Sequence, residues 1–175
     1  MAKYRRYRNY NRRRRGRWSS NIFELGTTTI SIPNQVAPWS QDYTLAFNPI
    51  QTNTATSQTY TVKNMEVTFE LSGGDGSIED VTAYIMFVPQ GMQVSTSYNL
   101  DHPEYIMAYR FLGSPINDTG LTSQALAPKI KTRLSRRLNT GDSIILFLKG
   151  NKTSAAGTSV SLEFHGLARW WTKAN

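Results

Sequence analysis

The chain has 175 residues, with 20 Lys+Arg against 12 Asp+Glu for a formal net charge of +8, and it contains no cysteine. That length holds one domain of about 150 residues beside a tail, while disulfides, thiolate metal sites and cysteine nucleophiles are excluded by composition. No run of about 18 apolar residues is present to span a membrane and no apolar stretch of a secretory signal follows the basic N-terminus, so a soluble intracellular protein is expected.

The first seventeen residues hold nine of the twenty basic side chains: Lys3, Arg5, Arg6, Arg8, Arg12, Arg13, Arg14, Arg15 and Arg17. They include no acid. The rest of the chain keeps eleven Lys+Arg against all twelve acids, a net charge of about −1. The positive charge therefore belongs to a tail and not to a domain. A block this dense cannot bury itself and repels itself into extension, so it calls for a polyanion. Eight of the nine cations are arginines, whose planar forks pair bidentately with phosphate. Tyr4, Tyr7 and Tyr10 recur among them and Trp18 closes the run. Aromatic faces stack unpaired bases at roughly 1–3 kcal/mol per base with little regard to sequence. Charge for the backbone and rings for the bases suit a single strand better than a duplex. A nuclear-localisation signal is a compatible reading of the same run.

From residue 19 to residue 175 the pattern is that of strands. Ile22 to Leu25 and Thr27 to Ile32 lead to a stop at Pro33. Tyr43 to Phe47, within Trp39 to Asn48, alternates as a second strand or as the first continued past a kink, and 49–58 reads as a loop. Tyr60 to Leu71 places Met65, Val67, Phe69 and Leu71 on one face and Glu66, Thr68 and Glu70 on the other. The phase slips near Lys63-Asn64, which predicts a bulge. Residues 72–77 read as a hairpin turn. Val81 to Val88 is apolar on both faces, as a central strand would be, and ends at Pro89. A loop over 89–103, a strand from Glu104 to Leu112 and a loop over 113–127 follow.

Pro128 to Leu134 is the second basic stretch. If extended, Lys129, Lys131 and Arg133 project from one face and Ile130, Thr132 and Leu134 from the other. Arg136 and Arg137 follow, giving five cations with no acid between Asp118 and Asp142. Such a strip is either a solvated or Lys-protected edge or a second phosphate-contacting patch. A turn at 139–142, a buried strand from Ser143 to Leu148, a loop over 150–158 and a last strand from Val160 to Trp171 complete the chain. Seven or eight strands with long loops and no helical periodicity predict an all-β sandwich or jelly roll.

Nothing in the sequence carries catalysis. The two histidines, His102 and His165, stand in settings that do not suggest zinc. No nucleophile elbow, phosphate loop or calcium loop is present. Neither an enzyme nor a metal or cofactor site is expected.

Tyr4-Arg-Arg-Tyr-Arg-Asn-Tyr-Asn-Arg-Arg-Arg-Arg15, followed at once by a small β body without cysteine, resembles the capsid proteins of small circular single-stranded DNA viruses, the circovirus-like group. The likeness is one of layout. Tyr60 to Glu70 looks like that family's third strand, at a sheet edge, and Ser161 to Trp171 like its closing strand. The resemblance implies a single viral jelly roll, an eight-stranded antiparallel β-sandwich (residues 19–175), behind an extended Arg-rich arm (residues 1–18). It implies sixty copies closing into a T=1 icosahedral shell around a single-stranded DNA genome, with DNA favoured over RNA. Other implied partners are the host nuclear import machinery and no membrane, and the implied locations are the virion and the host nucleus during assembly. Sixty arms would carry roughly 540 positive charges, matched to a genome on the order of a thousand or two nucleotides. A coat protein of a small satellite-type RNA virus and a cellular basic-tailed nucleic-acid-binding protein remain alternatives.

Overall fold

Strand parity is the first thing the sequence imposes, because successive side chains of an extended chain leave on opposite sides. In the computed structural model, which describes residues 17–49, 59–74, 76–114, 128–155 and 159–174, eight antiparallel strands obey it. The arm residues Lys3 to Arg15 lie outside the described residues, as do the loop residues 50–58, 115–127 and 156–158.

The strands are β1 (Ser19–Ile32), β2 (Pro38–Phe47), β3 (Tyr60–Gly73), β4 (Ile78–Val88), β5 (Ile106–Gly113), β6 (Lys129–Leu138), β7 (Ser143–Lys152) and β8 (Val160–Ala174). One sheet has the order β1-β8-β3-β6 and the other β2-β7-β4-β5. The pairings β1 with β8, β2 with β7, β3 with β6 and β4 with β5 nest inside one another. The chain is thus one long hairpin, closed at β4 and β5 and wound into two facing sheets. That is the eight-stranded jelly roll.

Several expectations change. Ile22 to Leu25 and Thr27 to Ile32 belong to a single strand, with a register shift at Gly26, whose φ is +70°. Residues 72–77 do not close a hairpin, since β3 and β4 lie in different sheets. The third strand is internal, between β8 and β6, and not at an edge. β7 runs on to Lys152, through residues expected in a loop. The predicted bulge is present: the β3 register shifts between Lys63 and Met65, and Asn64 between them has φ +50°. Asn accepts that left-handed conformation more readily than most residues.

The inner faces of the sheets fill the space between them. Val62, Met65, Val67, Phe69 and Leu71 of β3 meet Ile85, Phe87, Leu146 and Leu148 in one cluster. Tyr43 stacks on Phe164 across the sandwich at 4.2 Å between centroids. Trp39 lies on Gly150, where an added methyl carbon would stand 2.8 Å from the indole.

The outer faces differ. The segment 89–105, expected as a loop over 89–103 with a strand from Glu104, includes a helical turn, α1 (Tyr98–Asp101), and folds back over β4 and β7, so that the strand begins only at Ile106. Its Tyr98, Met92 and Val94 cover Met86, Val88, Ile145 and Phe147, and the Tyr98 hydroxyl donates to the Phe87 carbonyl at 3.1 Å. This explains why β4 reads as apolar on both sides. The outer face of β1-β8-β3-β6 has no such cover among the described residues, and there the exposed members of β8 are Ser161, Glu163, His165, Leu167 and Arg169.

Asp142 ties three connections together at one end. Its buried carboxylate accepts from the backbone N–H of Asn139 at 2.8 Å and of Gln90 at 3.0 Å. Its carbonyl accepts from Asn48 N–H, and the Asn48 side chain donates to the Leu138 carbonyl. Replacing Asp142 with Ala strands two donors, and a buried unsatisfied donor costs about 1–3 kcal/mol. Asp142→Ala is therefore expected to lower the unfolding free energy by about 2–3 kcal/mol, measured by urea unfolding.

Candidate nucleic-acid interface

The uncovered outer face is where the charge of the body collects. Parity on β8 brings Arg169, Trp171 and Lys173 to the same side as Glu163 and His165. On β3, Lys63 stands opposite Trp171 and Ser135, and Glu66 opposite Arg169 and Lys131. Thr61 stands between Lys173 and Arg137. Directly opposed residues have Cβ atoms about 4.5–5.5 Å apart, so these rows form one continuous surface. It holds seven cations: Lys63, Lys129, Lys131, Arg133, Arg137, Arg169 and Lys173. Its acids are four: Glu24, Glu66, Glu70 and Glu163. Elsewhere in the body, among the described residues, four cations (Arg110, Arg136, Lys149 and Lys152) stand against six acids. The near-neutral body is polarised.

The face is polarised too. Glu24, Glu70 and Glu163 occupy the half near Leu167, His165 and Ser72, whereas Lys63, Arg137, Arg169 and Lys173 occupy the half where β1 begins and β8 ends. Ser19 pairs with Thr172 there, so the arm reaches the body at its basic end. Trp18 is held against that end by Lys63, whose ammonium lies 3.9 Å from the centre of the indole ring. Such a contact contributes about 0.5–1 kcal/mol at an exposed site. Arg17 turns the other way, beside a cleft of about 530 Å³ at the open end of the sandwich, lined also by Phe47, Tyr60 and Trp170.

The expected five-charge strip is split by the same parity. Lys129, Lys131 and Arg133 are exposed on the outer face, with Ile130 and Thr132 buried. Leu134, expected inward, is exposed at the bulge, where its N–H bonds Thr132 Oγ1 at 3.1 Å. Arg137 is exposed and donates to Thr59 Oγ1 at 3.2 Å. Arg136 points to the other side. Its guanidinium lies 4.3 Å from the Phe87 ring centre and 5.9 Å from that of Tyr105, and it is not part of the outward surface. β6 is an edge strand, and its first two lysines are engaged by Glu66, at 2.7 Å from Lys129 and 3.6 Å from Lys131. The hydrogen bond from Lys129, with the positive charges of both lysines, holds the Glu66 carboxyl below its usual value. Among the described residues, Arg133, Arg169 and Lys173 have no carboxylate within ion-pair distance.

Lys63, Arg169, Trp171 and Lys173 were not among the residues singled out in the sequence. The signal for the last three was present, since the alternation of β8 continues through Trp171 and fixes their side. Lys63 was hidden by the slip of phase at the bulge.

Irregularities on both sides of β3 open the surface, since the pairing with β8 also shifts between Lys63 and Glu66, where two residues of β3 face Trp170 alone. Between Lys63 and Met65 one residue of β3 faces two of β6, Arg133 and Leu134. Beside this irregularity lies an open hollow of about 270 Å³, lined by Asn64, Glu66, Lys131, Arg133, Arg169 and Trp171.

No family model matches the chain, and no curated protein sequence matches it. Among solved structures it is similar to a mud crab tombus-like virus structure, with 9% identity over 99% of this chain and 88% of that one at a TM-score of 0.41. It is similar to the decameric BFDV capsid protein at 8% identity, over 90% and 99% of the two chains, with a TM-score of 0.37. A structure of the infectious bursal disease virus Gx strain gives 13% identity and a TM-score of 0.39 over 89% of this chain, which spans about a third (32%) of that longer one. The jelly-roll assignment rests on the strand order and nested pairing of this chain itself.

Glu66 restrains two of the seven cations. Its lowered carboxyl means that the pair is fully formed above a pH of about 4.5 and is lost as the pH falls through the lower folded value. Glu66→Gln at neutral pH is expected to free Lys129 and Lys131, tightening binding of a single-stranded oligonucleotide several-fold at low salt. Exposed pairs of this kind are worth about 0–1 kcal/mol, so the melting temperature should hardly move. Filter binding and thermal unfolding of the variant check both statements.

Proposed function

We propose that this chain is a capsid protein that self-assembles into a closed icosahedral shell and packages a single-stranded genome through its arm. The observation that carries this reading is the meeting of the Arg/Tyr-rich arm with the basic half of the uncovered sheet face at one end of a jelly roll. Arm and face would then address the same polyanion. The jelly roll alone does not decide the function, because lectin domains and cupins share it. Here the space between the sheets is filled by side chains such as Phe69, Phe164, Leu146 and Ile85, so the recognition surface is outside.

Self-assembly follows from how the charge is divided. A body near neutrality lets subunits approach without strong repulsion, and closed symmetry gathers the arms in one lumen. The polarised body orients itself, with its basic face toward the cargo. Edge strand β5 carries exposed Tyr109 and Phe111, and exposed apolar side chains on an edge are suited to contact with a neighbouring copy. In this reading the shell has T=1 symmetry with sixty copies, the cargo is DNA in preference to RNA, and the arm doubles as a nuclear-localisation signal read by the host import machinery. The sites that bind are Lys3 to Trp18 and the outward cations of the sheet.

Recombinant protein is expected to give uniform closed particles by negative-stain microscopy, with a 260/280 nm absorbance ratio raised by nuclease-resistant nucleic acid. Deleting residues 1–17 is expected to leave the β body folded by circular dichroism and to abolish packaging. A small oligomer that binds nucleic acid without closing would overturn the capsid reading in favour of a basic-tailed binding protein. Typing the cargo of native particles decides between DNA and RNA.

A further inference from the structure

We propose that the hollow between Trp171, Arg133, Arg169, Lys131 and Asn64 is a subsite for one unpaired nucleotide of the packaged strand, with Trp171 against the base and the two arginines on its phosphate. The inference rests on the packaging reading above and names where on the rigid body the strand is held.

Four observations converge on this place. The hollow sits at a bulge, a device that breaks the ladder and re-aims side chains and is over-represented beside functional sites. Arg133 and Arg169 lack a carboxylate partner among the described residues, so their forks are free for an external anion, which they match bidentately. Trp171 gives the hollow an aromatic wall, and every base offers a face to stack on it. Finally, Lys63 stands opposite Trp171 and holds Trp18 of the arm, so a strand threaded along the arm arrives at the hollow. Asn64 adds an amide donor and acceptor for a base edge.

The chemistry selects the ligand. An inorganic anion would use the arginines and leave the indole idle. A duplex hides the faces of its bases, and its grooves are read by elements that enter them, whereas this surface is a shallow hollow in a sheet. An unpaired nucleotide uses the charge, the ring and the amide together. Glu66, which lines the same hollow, is occupied by Lys129 and Lys131, so its charge is offset where the phosphate would approach.

The test uses full-length protein and an oligodeoxythymidylate carrying 5-bromodeoxyuridine, irradiated and mapped by peptide mass spectrometry. Crosslinks are expected at the arm tyrosines and at Trp171. The exposed double substitution Arg133→Gln/Arg169→Gln is expected to reduce the Trp171 crosslink several-fold while the arm crosslinks persist. Each single-strand phosphate contact contributes about 0.7 to the slope of log affinity against log salt, so the slope should fall by about 1.4 in this variant. Trp171→Phe should retain most of the affinity, where Trp171→Ser loses it several-fold. Arm crosslinks without any at Trp171, or an unchanged salt slope, overturn the subsite and leave packaging by the arm standing. A duplex of the same sequence that crosslinks to Trp171 equally well overturns the assignment to an unpaired nucleotide. Failure to bind the oligonucleotide at all removes both readings.

Discussion

The outward surface of the sheet β1-β8-β3-β6 depends on what its strand β8 must bury. β8 lies inside its sheet, paired with β1 on one side and β3 on the other, and it alternates without a break from Val160 to Trp170. Val160, Leu162, Phe164, Ala168 and Trp170 are committed to the core, and burial of side chains of this size is worth about 1.5–3 kcal/mol each for the larger ones. A slip of one residue would send all of them to water and bring Glu163, His165 and Arg169 inside. The register is therefore fixed by the core, and the outward set comes with it. Arg169, Trp171 and Lys173 share a face because their neighbours have nowhere else to go.

How much of this was legible in the sequence follows from the range of each interaction. Parity is local, so β3 and β8 could be read with their correct faces, and the slip at Lys63-Asn64 could be read as a bulge. Partner choice is not local. Ser19 meets Thr172 and Tyr60 meets Leu138, and nothing in an alternating strand says which other strand it will adjoin. For that reason residues 72–77 read as a hairpin when they cross between sheets, and the family likeness puts the third strand at an edge when it is internal. The turn residues Gly73, Gly74 and Gly76 look the same in both cases. The double-sided apolarity of β4 was legible, but its cause, the segment 89–105 folding back with Tyr98, was not. That segment is polar enough to read as a solvated loop, and of its side chains only Met92, Val94, Tyr98, Asn99 and Tyr105 turn inward.

The candidate interface shows the same division. Lys129, Lys131 and Arg133 follow from parity alone, and the structure places them together. Arg136 and Arg137 differ by one position, which in a strand is the difference between two surfaces. One stacks over Phe87 and Tyr105, and the other is exposed. A run of charge in sequence is thus not a patch in space. The patch that exists draws on three strands, and its members from β3 and β8 are separated in sequence by about a hundred residues. What unites them is that β3 and β6 bulge at the same level, which opens the hollow that neither strand would form alone.

The arm and the sheet face differ in kind, and the difference explains why both would be present. The arm's charges are numerous and close together, so they supply affinity for any polyanion by releasing its counterions, with a strong dependence on salt. Such binding fixes no geometry, since an extended basic chain can follow a strand along many paths. The sheet face has fewer cations, two of them restrained by Glu66, and its arginines and Trp171 are held at set positions by the registers of β3, β6 and β8. Preorganised groups lose less entropy on binding than groups that must first be ordered. In the proposed packaging role the arm would gather the strand, and the face would decide where it lies. Concentrating this fixed charge on one half of one face, beside the point where the chain enters the body, keeps the rest of the described body slightly acidic, and in the proposed shell that surface would meet other copies without competing for the cargo.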